Sequence, residues 1–249
     1  MKIKAVLFDL GGTLEDLSST KEEQRAAIEY IQDILQTRSK TFRISRDEFF
    51  DKLMAGYKFY KGYVAGAGIE KSPEDMWSDY YLAAFPHERE RIRRMSDHLT
   101  EIWETKFYVR DMKKEAPQML ADLKAQGLLL GVITNTTSRS APYLLVEKYG
   151  IEKQFDVILS SAGECVRKPK PDMFLTAAEF LEVKPQECAY IGDQVRKDML
   201  GAYDAGYSVR LLIDSAFTEI KESDRHLITD RLENLGQLAA YIQAYNSKQ

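Results

Sequence analysis

Two rhythms of apolar residues divide this chain. The first is continuous: Ala5-Val6-Leu7-Phe8 runs without a polar break, is partly β-branched, and stops at Asp9 ahead of the pair Gly11-Gly12. Within residues 3–14 this pattern predicts a strand buried on both faces that empties into a turn. The second rhythm is helical and fills residues 21 to about 106. Ala27, Ile28, Ile31, Ile34 and Leu35 mark one amphipathic face; Phe49, Phe50, Leu53, Met54, Tyr57 and Tyr60 mark another. Ser72-Pro73-Glu74-Asp75 reads as a helix start with Pro at the first helical position, leading into Trp77, Tyr80, Tyr81 and Phe85. Residues 88–103 read as a charged helix. Four such helices predict a small bundle inserted directly after the first strand. The glycines at 62, 66 and 68 read as a break in that bundle, a connection or loop. No strand precedes them and no Gly-Lys-Ser/Thr follows, so they do not form a phosphate loop.

From Met112 onward the two rhythms alternate. Strands are predicted over 128–134, 155–159, 188–192 and 208–213. Helices are predicted over 115–126, 138–149, 171–181 and 196–205, with a closing helix over 232–245. Gly127, Gly150 and Gly206 stand where three of these helices stop. Strand and helix in alternation imply right-handed crossovers and a parallel sheet covered on both faces. The predicted architecture is therefore α/β: a Rossmann-like parallel-sheet core, residues 1–16 and 107–249, with an inserted four-helix-bundle cap, residues 17–106.

Composition narrows the setting. The 249 residues suit one large domain or two modest ones, and 44% hydrophobic with 30% charged residues describes a globular chain. A net charge of -4 offers no footprint for nucleic acid. No stretch approaches a membrane span, and the chain enters a strand almost at once, so no leader is expected. Two cysteines, Cys165 and Cys188, suit reduced thiols in a cytoplasmic setting. His87, His98 and His226 are scattered through polar stretches and read as surface residues.

The chemistry gathers at strand ends. Asp9 follows the first strand, Thr134-Asn135 the second, and Asp193 the fourth. Lys168 sits in Arg167-Lys168-Pro169-Lys170-Pro171, where the prolines stiffen a loop and aim one lysine. Asp198 follows Asp193 within the first turn of the next helix. Parallel sheets bind ligands outside the carboxyl ends of their strands. Carboxylates gathered there cannot all stay ionised without a partner. Mg²⁺ together with Lys168 would neutralise them, and such a site suits a phosphoryl group.

These residues carry a resemblance. Phe8-Asp-Leu-Gly-Gly-Thr-Leu14, Val132-Ile-Thr-Asn135, Lys168-Pro-Lys-Pro171 and Ile191-Gly-Asp-Gln-Val-Arg-Lys-Asp198 match, in order and spacing, the four motifs of the haloacid dehalogenase superfamily. The chain resembles its phosphatase-rich branch, with a helical cap after the first strand. The resemblance implies Mg²⁺-dependent hydrolysis of a small phosphate monoester. Asp9 would be the nucleophile that forms an aspartyl-phosphate and, with the Gly11 carbonyl and Asp193, a metal ligand. Thr134 and Asn135 would bind the phosphate. Lys168 would balance charge, and Asp198 would orient Lys168 or a metal-bound water. One position departs: the family carries a second Asp two residues after the nucleophile, as general acid and base, and here Gly11 stands there. Glu15 and Asp16 lie close by but read as solvated hinge residues. Two alternatives follow from Gly11. One is a Mg²⁺- and phosphate-binding regulatory module with little turnover. The other is carbon–phosphorus cleavage like that of phosphonoacetaldehyde hydrolases, using a cap lysine such as Lys52, Lys58 or Lys61. The branch that cleaves carbon–halogen bonds lacks the metal-binding Asp, which this chain has at Asp193.

Overall fold

β1 (Ala5–Phe8) runs through the middle of the protein because no polar side chain interrupts it. In the computed structural model, which describes residues 1–37 and 39–249, all four of its side chains are fully buried. They alternate in direction. Ala5 and Leu7 pack into one apolar cluster with Phe174 and Tyr190; Val6 and Phe8 pack into another with Leu120 and Leu130. A strand sandwiched in this way needs apolar residues on both faces, which explains the unbroken run.

The chain then leaves the sheet. β2 (Glu15–Ser18) leads to α1 (Lys21–Gln36), α2 (Arg46–Ala67), α3 (Pro73–Met76) and α4 (Arg89–Ile102), and β3 (Val109–Met112) returns it. β2 and β3 pair antiparallel, Glu15 opposite Met112 and Ser18 opposite Val109. This two-stranded ribbon replaces the simple junction expected around Glu15 and Asp16. The helices between its strands share their own core, built on Trp77, Trp103, Phe49 and Tyr81. The starts of α1, α2 and α3 are specified locally. Thr20 and Glu23 form a reciprocal capping box on α1, Ser45 caps α2, and Ser72 caps α3 ahead of Pro73.

The glycine break does not exist. α2 continues through Gly62 and Gly66 to Ala67 and ends at Gly68, whose φ of 62° supplies the left-handed cap. Gly62 and Gly66 face open space, so each costs the helix only its propensity, about 1 kcal/mol. The buried side chains of Tyr60 and Val64 offset that cost by anchoring the same turns to the bundle.

After β3 come α5 (Ala116–Ala125), β4 (Leu129–Thr134), α6 (Ala141–Lys148), β5 (Val157–Ser160), α7 (Ser161–Glu164) and α8 (Asp172–Phe180). β6 (Cys188–Gly192), α9 (Leu200–Asp204), β7 (Val209–Ile213), β8 (Asp230–Leu232) and α10 (Leu238–Ser247) complete the chain. The six-stranded sheet has the order β5-β4-β1-β6-β7-β8, and every pairing in it is parallel. β8 was not expected. It ends at Leu232, the residue at which the closing helix was expected to begin, and that helix starts only at Leu238. Among the described residues, no helix is long and apolar enough to cross a membrane.

Candidate active site

The order of the sheet puts β1 between β4 and β6, so their carboxyl ends are neighbours. Phe8 pairs with Val132 on one side and Ile191 on the other. One residue further, the Asp9 N–H donates to the Ile191 carbonyl at 2.9 Å. Asp9, Thr134 and Asp193 therefore emerge side by side. Asp9 and Thr134 meet a cleft of about 300 Å³, lined on the core side also by Gly11, Asn135 and Lys168 and on the insert side by Tyr57, Tyr60, Lys61 and Trp103, with Asp193 buried behind it.

Lys168 is the hub. Its ammonium lies 3.0 Å from Asp9 Oδ1 and 2.6 Å from Asp198 Oδ1, and donates to the Tyr190 hydroxyl at 2.9 Å and the Ile133 carbonyl at 3.0 Å. Burial alone would push its proton off. Asp198 and Asp9 outweigh burial and hold the ammonium charged above its ordinary range. Asn135 fixes the main chain of this lysine: its side-chain oxygen accepts from Lys168 N at 2.9 Å, and its side-chain NH₂ donates to Lys168 O at 3.1 Å. Asn135 also lines the cleft. Asp198, in a single π-helical turn (Val195–Met199), also accepts from Gln194 N at 2.9 Å. It positions the lysine.

Asp9 and Asp193 carry the opposite tension. Burial raises the Asp9 carboxyl above the usual range, Lys168 opposes that rise without cancelling it, and Asp198 adds to it. Burial likewise pushes Asp193 up to about 7, with Asp9 and Asp198 adding repulsion. Asp193 Oδ2 accepts from the Ser215 hydroxyl at 2.5 Å, and the Asp193 carbonyl accepts from Thr218 Oγ1 at 2.8 Å. Asp193 Oδ1, however, is buried and has no partner. Carboxylate oxygens of Asp9, Asp193 and Asp198 lie within 4.8 Å of one another. Gly12, at φ 85°, lets the loop pass Asp193; a Cβ there would collide with Oδ2. Hard oxygen donors, crowded negative charge and an orphaned buried oxygen together fit a divalent cation such as Mg²⁺.

Several residues that shape this site were not legible in the sequence. Glu15 is fully buried, with Arg110 on one oxygen and the Tyr149 hydroxyl, at 2.6 Å, on the other. This overturns its reading as a solvated hinge residue; Asp16, by contrast, is exposed. Arg110 also reaches Glu104, whose Oε1 accepts from the hydroxyls of Thr136 at 2.9 Å and Thr137 at 3.0 Å. Of the three insert lysines named as candidates, Lys52 pairs with Glu48 and Lys58 is exposed, whereas Lys61 lines the cleft. Lys61 is exposed as a residue, but desolvation at the cleft, then Lys197 and Arg167, lower its proton affinity. The three histidines are exposed, and both cysteines are free thiols.

Comparison with known proteins agrees with this geometry. The chain is 29% identical to a glyceraldehyde 3-phosphate phosphatase of Methanopyrus kandleri over 205 residues, covering 82% of this chain and 81% of that one. It is 36% identical to the phosphoglycolate phosphatase of Escherichia coli over 89 residues, 35% and 34% of the two chains. Its fold matches a 2-haloacid dehalogenase from Pseudomonas syringae pv. Tomato DC3000 with a TM-score of 0.72, at 21% identity, over 98% and 99% of the two chains. A phosphatase from Thermococcus onnurineus follows at 0.62 and 20% identity, over 96% and 98%. The sequence profile of the haloacid dehalogenase-like hydrolases matches residues 3–206, and the chain belongs to that family, among its phosphatase-type enzymes.

Proposed function

We propose that this enzyme hydrolyses a small phosphate monoester through an aspartyl-phosphate on Asp9, with Mg²⁺ bound by Asp9, Asp193 and the Gly11 carbonyl. The observation that carries the reading is the pairing at one strand end of a buried carboxylate with a buried ammonium 3.0 Å away, beside the partnerless oxygen of Asp193. Mg²⁺ when bound would neutralise the carboxylates and draw charge off the phosphoryl oxygens. The chain's own residues would do the rest. The Lys168 ammonium and the Thr134 hydroxyl bind phosphoryl oxygens, and Asp198, Tyr190 and Asn135 keep Lys168 aimed. Asp9 Oδ forms a bond to phosphorus, the bond from phosphorus to the ester oxygen breaks, and that oxygen leaves with the electron pair. Water then cleaves the acyl phosphate, returning Asp9 and releasing phosphate. The helical insert acts as the cap over the reaction, and its aromatic face contacts the leaving group.

The test is phosphate release from a panel of phosphate esters with Mg²⁺, comparing the natural protein with Asp9→Asn. The amide is nearly isosteric and a poor nucleophile, so turnover should fall by ~10⁴–10⁶-fold with the fold retained. Wild-type rates in the variant would refute the covalent route. A specific observation favours one second reading: Lys61, though solvent-accessible, lines the cleft, where desolvation and then the charges of Lys197 and Arg167 lower its proton affinity. Turnover of a carbonyl-bearing phosphonate, lost in Lys61→Ala while phosphate esters stay inert, would replace ester hydrolysis with Schiff-base cleavage.

A further inference from the structure

Gly11 leaves its side of the cleft without a side chain, and the surroundings of that gap are specific. A Cβ on Gly11 would sit in ordinary contact with Leu17 Cδ2 at 3.5 Å, Glu15 Oε1 at 3.7 Å and Arg110 Nη1 at 3.9 Å. Its φ is unstrained, so neither sterics nor backbone demands glycine here. The two charged neighbours differ in what they have left to offer. Glu15 is fully buried, spends both oxygens on Arg110 and Tyr149, and does not line the cleft. Arg110 does line it. Its Nε donates to the Glu104 carbonyl at 3.0 Å, Nη2 to Glu104 Oε2 at 2.6 Å, and Nη1 to Glu15 Oε1. A guanidinium has five N–H groups, so one on each terminal nitrogen is unassigned. Two buried carboxylates, Glu15 at the start of β2 and Glu104 in the helical turn ahead of β3, hold the group in place before any substrate arrives.

We propose that Arg110 stabilises the leaving-group oxygen of the reaction, in place of an acid at position 11; the inference rests on the phosphoryl-transfer reading above. In-line displacement sends the leaving oxygen away from Asp9, into the cleft beneath the insert. As the bond to phosphorus breaks, the electron pair goes to that oxygen, which departs as an anion hydrogen-bonded to the free N–H groups of Arg110. It takes its proton from water afterwards, because a guanidinium keeps its own. A fixed donor of this kind stabilises charge but transfers no proton. The substrates it suits are those whose leaving groups are already stable anions: phenyl and enol phosphates, and acyl phosphates.

The experiment measures kcat/KM against leaving-group pKa, from 4-nitrophenyl through alkyl phosphates, for the natural protein, Arg110→Lys and Arg110→Gln. Arg110→Gln should lose ~10²-fold for poor leaving groups and much less for 4-nitrophenyl phosphate, which steepens the dependence. Arg110→Lys should recover part of the loss. If Arg110→Gln alone fails to fold with Glu15 and Glu104 left without it, Glu15→Gln/Arg110→Gln removes the buried Glu15–Arg110 pair together and the same slope is read. An equal loss across the series, with the slope unchanged, would mean Arg110 only packs the ribbon and would overturn the proposal. A natural protein that releases phosphate from none of these esters would overturn the phosphoryl-transfer reading, and this proposal with it.

Discussion

The cleft has two walls built on different principles. On the core wall, Asp9, Thr134 and Asp193 stand at the ends of strands whose register is set by backbone pairing, and Lys168 from a turn and Asp198 from a π-helical turn join them in a buried cluster of charges. On the insert wall, the cleft is faced by Tyr57, Tyr60, Tyr81 and Trp103 from helices that pack on one another. Strand ends hold a side chain against a neighbouring main chain. A helix face holds it only against other side chains, which can repack. The first arrangement suits chemistry that needs fixed charges; the second suits a surface that must fit one leaving group among many. The difference predicts that damage to the core wall shows in stability and catalysis together, whereas damage to the contacts joining the walls shows mainly in how the insert closes.

The largest stability effect should come from Lys168→Met. Lys168 is almost completely buried and supplies the positive charge beside Asp9 and Asp198. Removing one partner from a buried ionic cluster costs ~3–5 kcal/mol, because the groups left behind are neither solvated nor paired. Urea denaturation at neutral pH should show this loss along with the loss of turnover. A loss below ~1 kcal/mol would break the comparison, since it would mean the core wall's charges are not interdependent.

These two walls were also unequally legible. Asp9, Thr134 and Asp193 could be found because an apolar run ending in a polar residue marks a strand end, and strand ends of a parallel sheet converge. Lys168 stood out just ahead of a proline-stiffened loop. Arg110 and Glu15 could not be found: 95 residues separate them, and only the pairing of β2 with β3 brings them together. Tyr190 reads as one more buried residue of β6, yet its hydroxyl donates to the Ile133 carbonyl and accepts from Lys168. The glycines at 62 and 66 suggested a break because propensity is local. The packing of Tyr60 and Val64, which keeps α2 intact past them, is not.

A smaller effect should separate the metal-free from the Mg²⁺-bound core wall. Asp193 is raised by burial to about 7, far above an unfolded carboxylate. Between roughly pH 4 and 7 the folded protein therefore holds a proton that the unfolded chain releases, so metal-free stability should fall as pH rises through that window. A cation competes with that proton. Mg²⁺ should stabilise little near about pH 5 and most above about pH 7, by ~2.7 kcal/mol at a hundredfold excess over Kd. Melting curves with Mg²⁺ and with chelator at the two pH values test this. A melting temperature indifferent to Mg²⁺ above pH ~7 would remove the metal from the proposed site.

The smallest effect should lie where the walls touch at the surface. Arg139, in the loop after β4, reaches across to Glu74 of α3 at 3.0 Å and Asp97 of α4 at 3.2 Å. Both ends are partly solvated, unlike the Arg167–Glu70 pair that joins the same two walls with Glu70 fully buried. An exposed ion pair contributes only ~0.2–1 kcal/mol, because water and salt screen it. Arg139 nevertheless holds the Glu74 carboxyl down to about 2, mainly by hydrogen bonding to it. A depressed carboxylate stabilises the fold above its unfolded value and loses that contribution as pH falls through the folded one, so this contact should fade between roughly pH 4.5 and 2. At neutral pH, Arg139→Ala should move the urea midpoint little. It should still raise KM a few-fold at constant kcat, because the insert would rest against the core less of the time while the charges at the strand ends stay as they were. Added salt should mimic the variant in the natural protein and change the variant itself little. A fall in kcat as large as that of Lys168→Met would show that the insert wall takes part in the chemistry rather than in closing over it.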